Sequence, residues 1–415
     1  MDMKKTGKTP LVMLGMIKIG KNAILLLMIG LIVQACKKPY NPPAIAAPNS
    51  YLVVEGQINS GNDPTVIKLS KTVNLSSKVT TNPVLHAVLT VESDQNASYP
   101  LVETGNGNYG IASLNLDNAR KYRLRIKTTD NKEYLSDFVT VLNSPPIDTV
   151  GYTIQTNGLN IYSGTHDATG TVKYYRFDYQ ETWIIQSPYF SYFKSNGDTV
   201  LTRDLVNDNV YRCWVTDTSS TILLASSAKL SQNILVQNPI TFIPSTSEKV
   251  GSKYSILLKQ YAISAEAFAF YTNIKKNTEQ LGSIFDAQPS EIAGNIHSLT
   301  NPGEPVIGYL SAGVVSTKRI FIANQQLPAW LPISPYGDCV VDTALYQYYA
   351  PGAKTPINQV DQLINYKSGG SGFLIPINAI QPPGSPKILG YTASTPICVD
   401  CTVRGTNKEP AFWQN

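Results

Sequence analysis

Residues 122–127 read Tyr-Arg-Leu-Arg-Ile-Lys. Three apolar side chains alternate with three cationic ones, and such a segment is satisfied only in a sheet with one face in the core and one in water. Similar runs precede and follow it, at 51–56, 65–75, 87–92, 110–116 and 133–142. Turn-forming clusters separate them: Asn59-Ser60-Gly61-Asn62-Asp63-Pro64 after the first, and Asp130-Asn131-Lys132 as a hairpin before the last. About seven short strands in residues 51–145 have the scale of an immunoglobulin-like or transthyretin-like β-sandwich. Ser144-Pro145-Pro146 then interrupts the pattern and predicts a boundary.

Residues 146–415 predict a larger β-rich domain, with aromatic strands at 172–185, 211–215, 240–243, 254–261 and 319–323. One helix interrupts them near 265–281. Ser264 is its N-cap, Glu266 sits in the first turn, and Phe268, Tyr271, Ile274 and Leu281 form the expected buried stripe. Lys275, Lys276 and Gly282 close it in the order a helix C-terminus favours. The fold class is therefore mainly β, in two domains, with at least one α-helix.

The N-terminus decides the compartment. Lys4, Lys5, Lys8, Lys18 and Lys21 precede an apolar run of 11 residues, 23–33 (AILLLMIGLIV). That is a signal-peptide pattern, too short to span a bilayer as a helix of roughly 20 residues. Initiation at Met16 would give the same design with a shorter basic region. Val33-Gln34-Ala35-Cys36 resembles a bacterial lipobox, so residues 1–35 are expected to be removed and Cys36 lipidated. A plain secreted chain and an uncleaved anchor are the alternatives. Residues 36–50, rich in proline and alanine, suit an extended tether of roughly 40 Å at about 3.1 Å per residue. Acylation would make membrane lipid the first partner, with Lys37 and Lys38 leaving the face of the membrane open.

Of 34 basic and 29 acidic residues, five basic ones and Asp2 lie before Cys36, which leaves 29 against 28. A nearly neutral body with no dense Lys/Arg cluster does not predict nucleic-acid binding.

Four further cysteines remain: Cys213, Cys339, Cys398 and Cys401. An even number in an oxidising compartment predicts disulfides. Cys398-Val399-Asp400-Cys401 also allows a redox or zinc reading, but no second C-x-x-C or His pair lies near it. A 398–401 bridge would close a very small loop, so one of those two is expected to pair with Cys339.

No other reactive constellation is legible, so neither a catalytic residue nor a metal or cofactor is assigned. His86, His166 and His297 are far apart in sequence, and the H-E-x-x-H, G-x-S-x-G and phosphate-loop patterns do not occur. Ser226-Ser227-Ala228-Lys229 matches S-x-x-K without its companion motifs. Asp286 and Glu291 could serve a glycan hydrolase as paired carboxylates, although Asp286 also reads as the cap of a turn. Stretches such as Tyr174-Tyr175 and Tyr189-Phe190-Ser191-Tyr192-Phe193 could stack on sugars or line a ligand cleft, but core or cross-strand packing is the stronger account of such strand formers.

Several segments together resemble the Bacteroidota lipoproteins grouped as domain of unknown function 4249. They are Tyr51-Leu52-Val53-Val54-Glu55-Gly56, Pro146-Ile147-Asp148-Thr149, Cys213-Trp214, residues 282–290 (GSIFDAQPS), Gly294-Asn295-Ile296, Cys398-Val399-Asp400-Cys401 and Lys408-Glu409-Pro410-Ala411-Phe412-Trp413. Ser298 stands where the resemblance leads one to expect a cysteine. The resemblance implies an outer-membrane lipoprotein, often encoded beside a TonB-dependent receptor, with no established activity and no catalytic residues. It also implies O-glycosylation at Asp-Thr-apolar triplets, here at Thr149, Thr199 and Thr343. The expected function is an accessory or ligand-capture subunit of an outer-membrane transporter, its ligand unknown. A structural or assembly subunit of an envelope complex is the second expectation, and a glycan hydrolase the third.

Overall fold

The computed structural model describes residues 50–73, 81–279, 294–365 and 372–414. The leader, Cys36, the tether, Leu281, Gly282 and the Asp286/Glu291 pair lie outside them. Residues Ser50–Asn415 form one compact unit, and its fold is mainly β.

Eight strands come first: β1 (Leu52–Asn59), β2 (Thr65–Lys71), β3 (Val88–Ser93), β4 (Ser98–Gly105), β5 (Asn108–Ile111), β6 (Lys121–Lys127), β7 (Glu133–Ser136) and β8 (Val139–Thr140). Their register follows the alternation in the sequence. In β6, Tyr122, Leu124 and Ile126 are buried, while Lys121 and Lys127 face water. On the wet face Arg123 and Arg125 both donate to Glu92 on neighbouring β3, at 2.7 and 2.6 Å. The predicted turn joins β6 to β7, with Asn131 at φ 59°. The expected run at 110–116 ends early, at Ile111. The β4–β5 hairpin lies just before it, turning on Asn106 (φ 51°) and Gly107 (φ 75°). A Cβ on Gly107 would sit 2.4 Å from the carbonyl oxygen of Leu69, so only glycine fits.

The second body contains β9 (Ile147–Gln155), β10 (Gly158–His166), β11 (Tyr174–Gln186), β12 (Phe193–Ser195), β13 (Val200–Thr202), β14 (Arg212–Thr218), β15 (Leu223–Ser226), β16 (Ile234–Pro244) and β17 (Lys253–Ile263). Strands β16, β10 and β9 form one sheet, and β14, β11 and β17 run side by side in another, with β15 also paired to β11. The two sheets bury one core between them, including Leu159, Ile161 and Ile243 on one side and Phe177, Tyr254 and Leu258 on the other. Gln260, fully buried on β17, fixes the Ser144-Pro145-Pro146 junction. Its Nε2 donates to the carbonyl of Pro145 at 2.8 Å and to the hydroxyls of Ser144 and Thr165 at 3.1 and 3.2 Å.

The helix α1 (Ala265–Glu279) starts where predicted, with Ser264 Oγ accepting from the Ala267 amide at 3.1 Å. Its buried face differs from the expected stripe. Ala267 and Phe270 are buried, whereas Phe268, Tyr271 and Ile274 are only half-buried. The offset follows from neighbours on two sides: Phe268 packs on Tyr174, and Tyr271 and Ile274 wall a cleft.

The chain then returns to the first sheet through β18 (Ile296–Ser298), β19 (Val306–Ile307) and β20 (Ala312–Gly313). Strand β18 pairs with β7 at one edge, while β19 and β20 run parallel to β1 at the other. The 11-stranded sheet therefore curls until its edges almost meet. The side chain of Asn295 spans the gap between them: its Nδ2 donates to the Leu310 carbonyl at 3.0 Å, and its Oδ1 accepts from the Leu310 amide at 2.8 Å. Ile296, Val306, Leu310 and Ala312 complete the core that residues 51–145 begin.

Strand β21 (Ser316–Ala323) joins the β17 edge of the second body. Strands β22 (Asp342–Leu345), β23 (Ile375–Ile380) and β24 (Gly390–Ser394) make a small sheet with its own core. The C-terminal segment ties these parts together. Cys398 pairs with Cys339, as expected for one of the C-x-x-C cysteines, and Cys401 pairs with Cys213 on β14. The C-x-x-C is thus two separate staples. Beyond them, Trp413 packs edge-on against Trp214 and Phe321.

Candidate functional site

A cleft of about 910 Å³ lies between the outer face of β1 and the outer face of β11 and β17, with α1 as an end wall. Strand alternation creates it. On β11, Tyr175 and Phe177 point into the core, which turns Arg176, Asp178 and Gln180 outward. On β17, Leu258 and Gln260 are buried, and Lys259 and Tyr261 face the cleft. From β1 come Val53, Glu55 and Gln57. Because Arg176 pairs with Tyr261 and Asp178 with Lys259 across β11 and β17, four functional groups share one small patch.

Arg176 is held on several sides. Its guanidinium carbon lies 4.3 Å from the ring centre of Tyr261 and 5.1 Å from that of Tyr271. Nη1 donates to the Tyr271 hydroxyl at 3.1 Å and Nη2 to Asp178 Oδ2 at 3.2 Å. Nε is buried without a partner. Burial works against the arginine charge, but Tyr271, Asp178 and Tyr261 more than offset it and hold the guanidinium pKa above its ordinary range. Burial, with the Asp178 carboxylate nearby, pushes Tyr261 up to about 12, so its hydroxyl stays protonated at neutral pH. Lys259 is half-buried and has no hydrogen-bond or ion-pair partner among the described residues. Opposite, Glu55 pairs with Lys68 at 3.4 Å, and Asp63 sits on an exposed turn. Phe270 and Ile274 supply an apolar end wall. Concave shape, tyrosine faces and a few convergent charges are what a small-molecule site needs.

The residues singled out in the sequence do not assemble here. Thr149 on β9, Thr199 in the β12–β13 turn and Thr343 on β22 are all exposed and separate. Each histidine has its own acid: His86 with Glu103, His166 with Asp148, and His297 with Asp137. Hydrogen bonding to Asp148 raises the His166 pKa. Ser226 Oγ accepts from the Ala228 amide at 3.1 Å, as the cap of a turn. Among the described residues no three His, Cys, Asp or Glu side chains are placed to hold a metal, and no helix is long and apolar enough to cross a membrane. The cleft residues went unnoticed in the sequence, where Arg176 and Asp178 look like any wet-face alternation. The one available signal was the charged pair set among tyrosines in Tyr174-Tyr175-Arg176-Phe177-Asp178-Tyr179.

Residues 37–319 match the model of a family described as "Domain of unknown function (DUF4249)", a span that contains every residue lining the cleft. The chain belongs to that family. Within this DUF4249 chain, Cys339, Cys398, Cys401 and the terminal 408–413 segment lie beyond the matched span. No curated protein matches the sequence. Among solved structures, two of Salmonella alpha-2-macroglobulin, one a mutant and one reacted with methylamine, share 11% identity with it at a TM-score of 0.16. The alignments cover 75% of this chain and only 16% of the other. A likeness that slight bears on neither fold nor activity.

Proposed function

We propose that this DUF4249 chain is a non-catalytic, lipid-anchored subunit on the outer membrane that captures a ligand for a TonB-dependent receptor. The observation that carries the reading is the cleft of about 910 Å³, large enough for a ligand of drug or metabolite size. Its wall presents Arg176, Tyr261 and Tyr271 in a fixed array. The lipobox-like Val33-Gln34-Ala35-Cys36 supports the anchor, and the neutral charge balance agrees with a partner that is not nucleic acid.

Purification from native membranes in mild detergent, followed by identification of everything retained, tests the reading. A β-barrel receptor should co-purify with the protein. A stable multi-protein assembly without a receptor would replace this reading with that of an assembly subunit. The segment between β21 and β22 favours that second reading, because Leu331, Ile333 and Val340 are 88%, 69% and 62% exposed and could meet a protein surface. Replacing Cys36 by serine should release the protein from the membrane, and unchanged attachment would end the anchor assignment. The exposure of Thr149, Thr199 and Thr343 supports O-glycosylation there. Enzymatic deglycosylation that leaves the intact mass unchanged would remove it.

A further inference from the structure

The β11–β17 wall of the cleft holds more cationic charge than its own acid can match. Asp178 and Lys259 are direct cross-strand partners, yet the carboxylate is taken by Arg176 Nη2 at 3.2 Å. One acid therefore serves two cations. Arg176 directs its N–H groups to Tyr271, Asp178 and Tyr261, and its buried Nε–H has no partner. Buried donors left unmade are costly, and partly desolvated cations favour a matching anion. The acids on the facing wall do not supply it: Glu55 is engaged by Lys68, and Asp63 lies on an exposed turn. Next to these cations the end wall turns apolar at Phe270 and Ile274.

We infer that the cleft binds a small organic oxyanion, a carboxylate or phosphate monoester carried on an apolar or aromatic body. The oxyanion sits on Lys259 beside the Arg176 guanidinium, and the body lies against Phe270 and Ile274. With a carboxylate in place two acids face two cations and the site is neutral, whereas a phosphate monoester adds up to about one further negative charge. A planar guanidinium held on tyrosine rings is preorganised for such a group, because its geometry is fixed before the ligand arrives. This inference rests on the ligand-capture reading and names the ligand class for it.

Calorimetric titration of the full chain in mild detergent tests it with three probes of similar shape: 3-phenylpropionate, phenyl phosphate and the uncharged 3-phenylpropanol. Ligands of this size are expected to bind with Kd of about 1 mM, with at least one anion roughly tenfold tighter than the alcohol. The tighter of the two anions identifies the oxyanion. Lys259→Gln should weaken that anion about tenfold with Tm unchanged, whereas Lys259→Arg should retain it and Glu55→Gln should not weaken it. Alcohol binding as tight as that of the anions, or a Lys259→Gln protein with unaltered affinity, overturns the charge assignment while leaving a ligand cleft in place. Failure of all three probes overturns the inference entirely, and receptor co-purification then decides the capture reading by itself.

Discussion

The two main β bodies obey the same alternation rule but close themselves by different means. The first has no disulfide among its described residues. It curls one sheet until strands from residues 296–313 meet both edges, and the side chain of Asn295 spans the gap. The second packs two sheets face to face and is stapled from outside to the C-terminal segment through Cys213–Cys401, while Cys339–Cys398 holds that segment to the β21–β22 connection. Non-covalent closure uses pairing that the sheet already offers, so its cost falls on a few buried polar groups. Covalent closure restrains the unfolded chain across long loops, here 188 and 59 residues. The contrast shows where each body is vulnerable.

The largest effect should come from the staples. Cys401→Ser is expected to destabilise the second body by about 2–5 kcal/mol, and a reductant should do the same. Hydrogen exchange should then accelerate at β14 and the C-terminal segment while β3 and β6 remain protected. If β3 and β6 lose protection to the same extent, the two bodies unfold as one and the contrast fails.

Asn295→Ala should cost about 2–3 kcal/mol, because it leaves the buried amide and carbonyl of Leu310 unpaired. The Leu310 amide should become the fastest-exchanging site near β19, with the disulfides intact. Unaltered exchange there would mean that β18 and β19 hold the sheet closed without the side chain.

The smallest effect lies on the wet face of the first body. Burial opposes ionisation of Glu92, but hydrogen bonds from Arg125 and Arg123 outweigh it and hold the carboxyl below its usual 4.5. A depressed folded pKa means that the stabilisation is present above about pH 4.5 and is lost as the pH falls through the lower, folded value. Glu92→Gln should cost about 0.5–1 kcal/mol at pH 7 and progressively less as the pH falls below 4.5. A penalty that persists in acid would point to packing in place of charge.

The part of the fold carried by local pattern was legible. Strands β1, β3, β6 and β7, the 130–132 turn and the Ser264 cap each follow from a few neighbouring residues. What escaped is non-local or small. Strand β4 contains Pro100, which weakens any strand reading, although Asn106-Gly107 behind it is a strong hairpin signal. The returning strands β18, β19 and β20 are two or three residues long and gain their identity only from β1 and β7. The same holds for the site: Arg176 and Lys259 are separated by 83 residues of chain, and only strand pairing makes them neighbours. For the cysteines, the expectation that Cys339 would join the C-x-x-C followed from loop size, but which of Cys398 and Cys401 it takes, and so which one is left for Cys213, depends on the fold.

The pairing of β19 and β20 with the very first strand also sets an order of events as the chain emerges from a ribosome. Strand β1 must wait about 250 residues for its parallel neighbours, so a strand made early is among the last to be finished. Until then β1 offers a bare edge to any passing strand, which is a hazard for aggregation. Fragments cut at the Ser144-Pro145-Pro146 junction should inherit that hazard permanently.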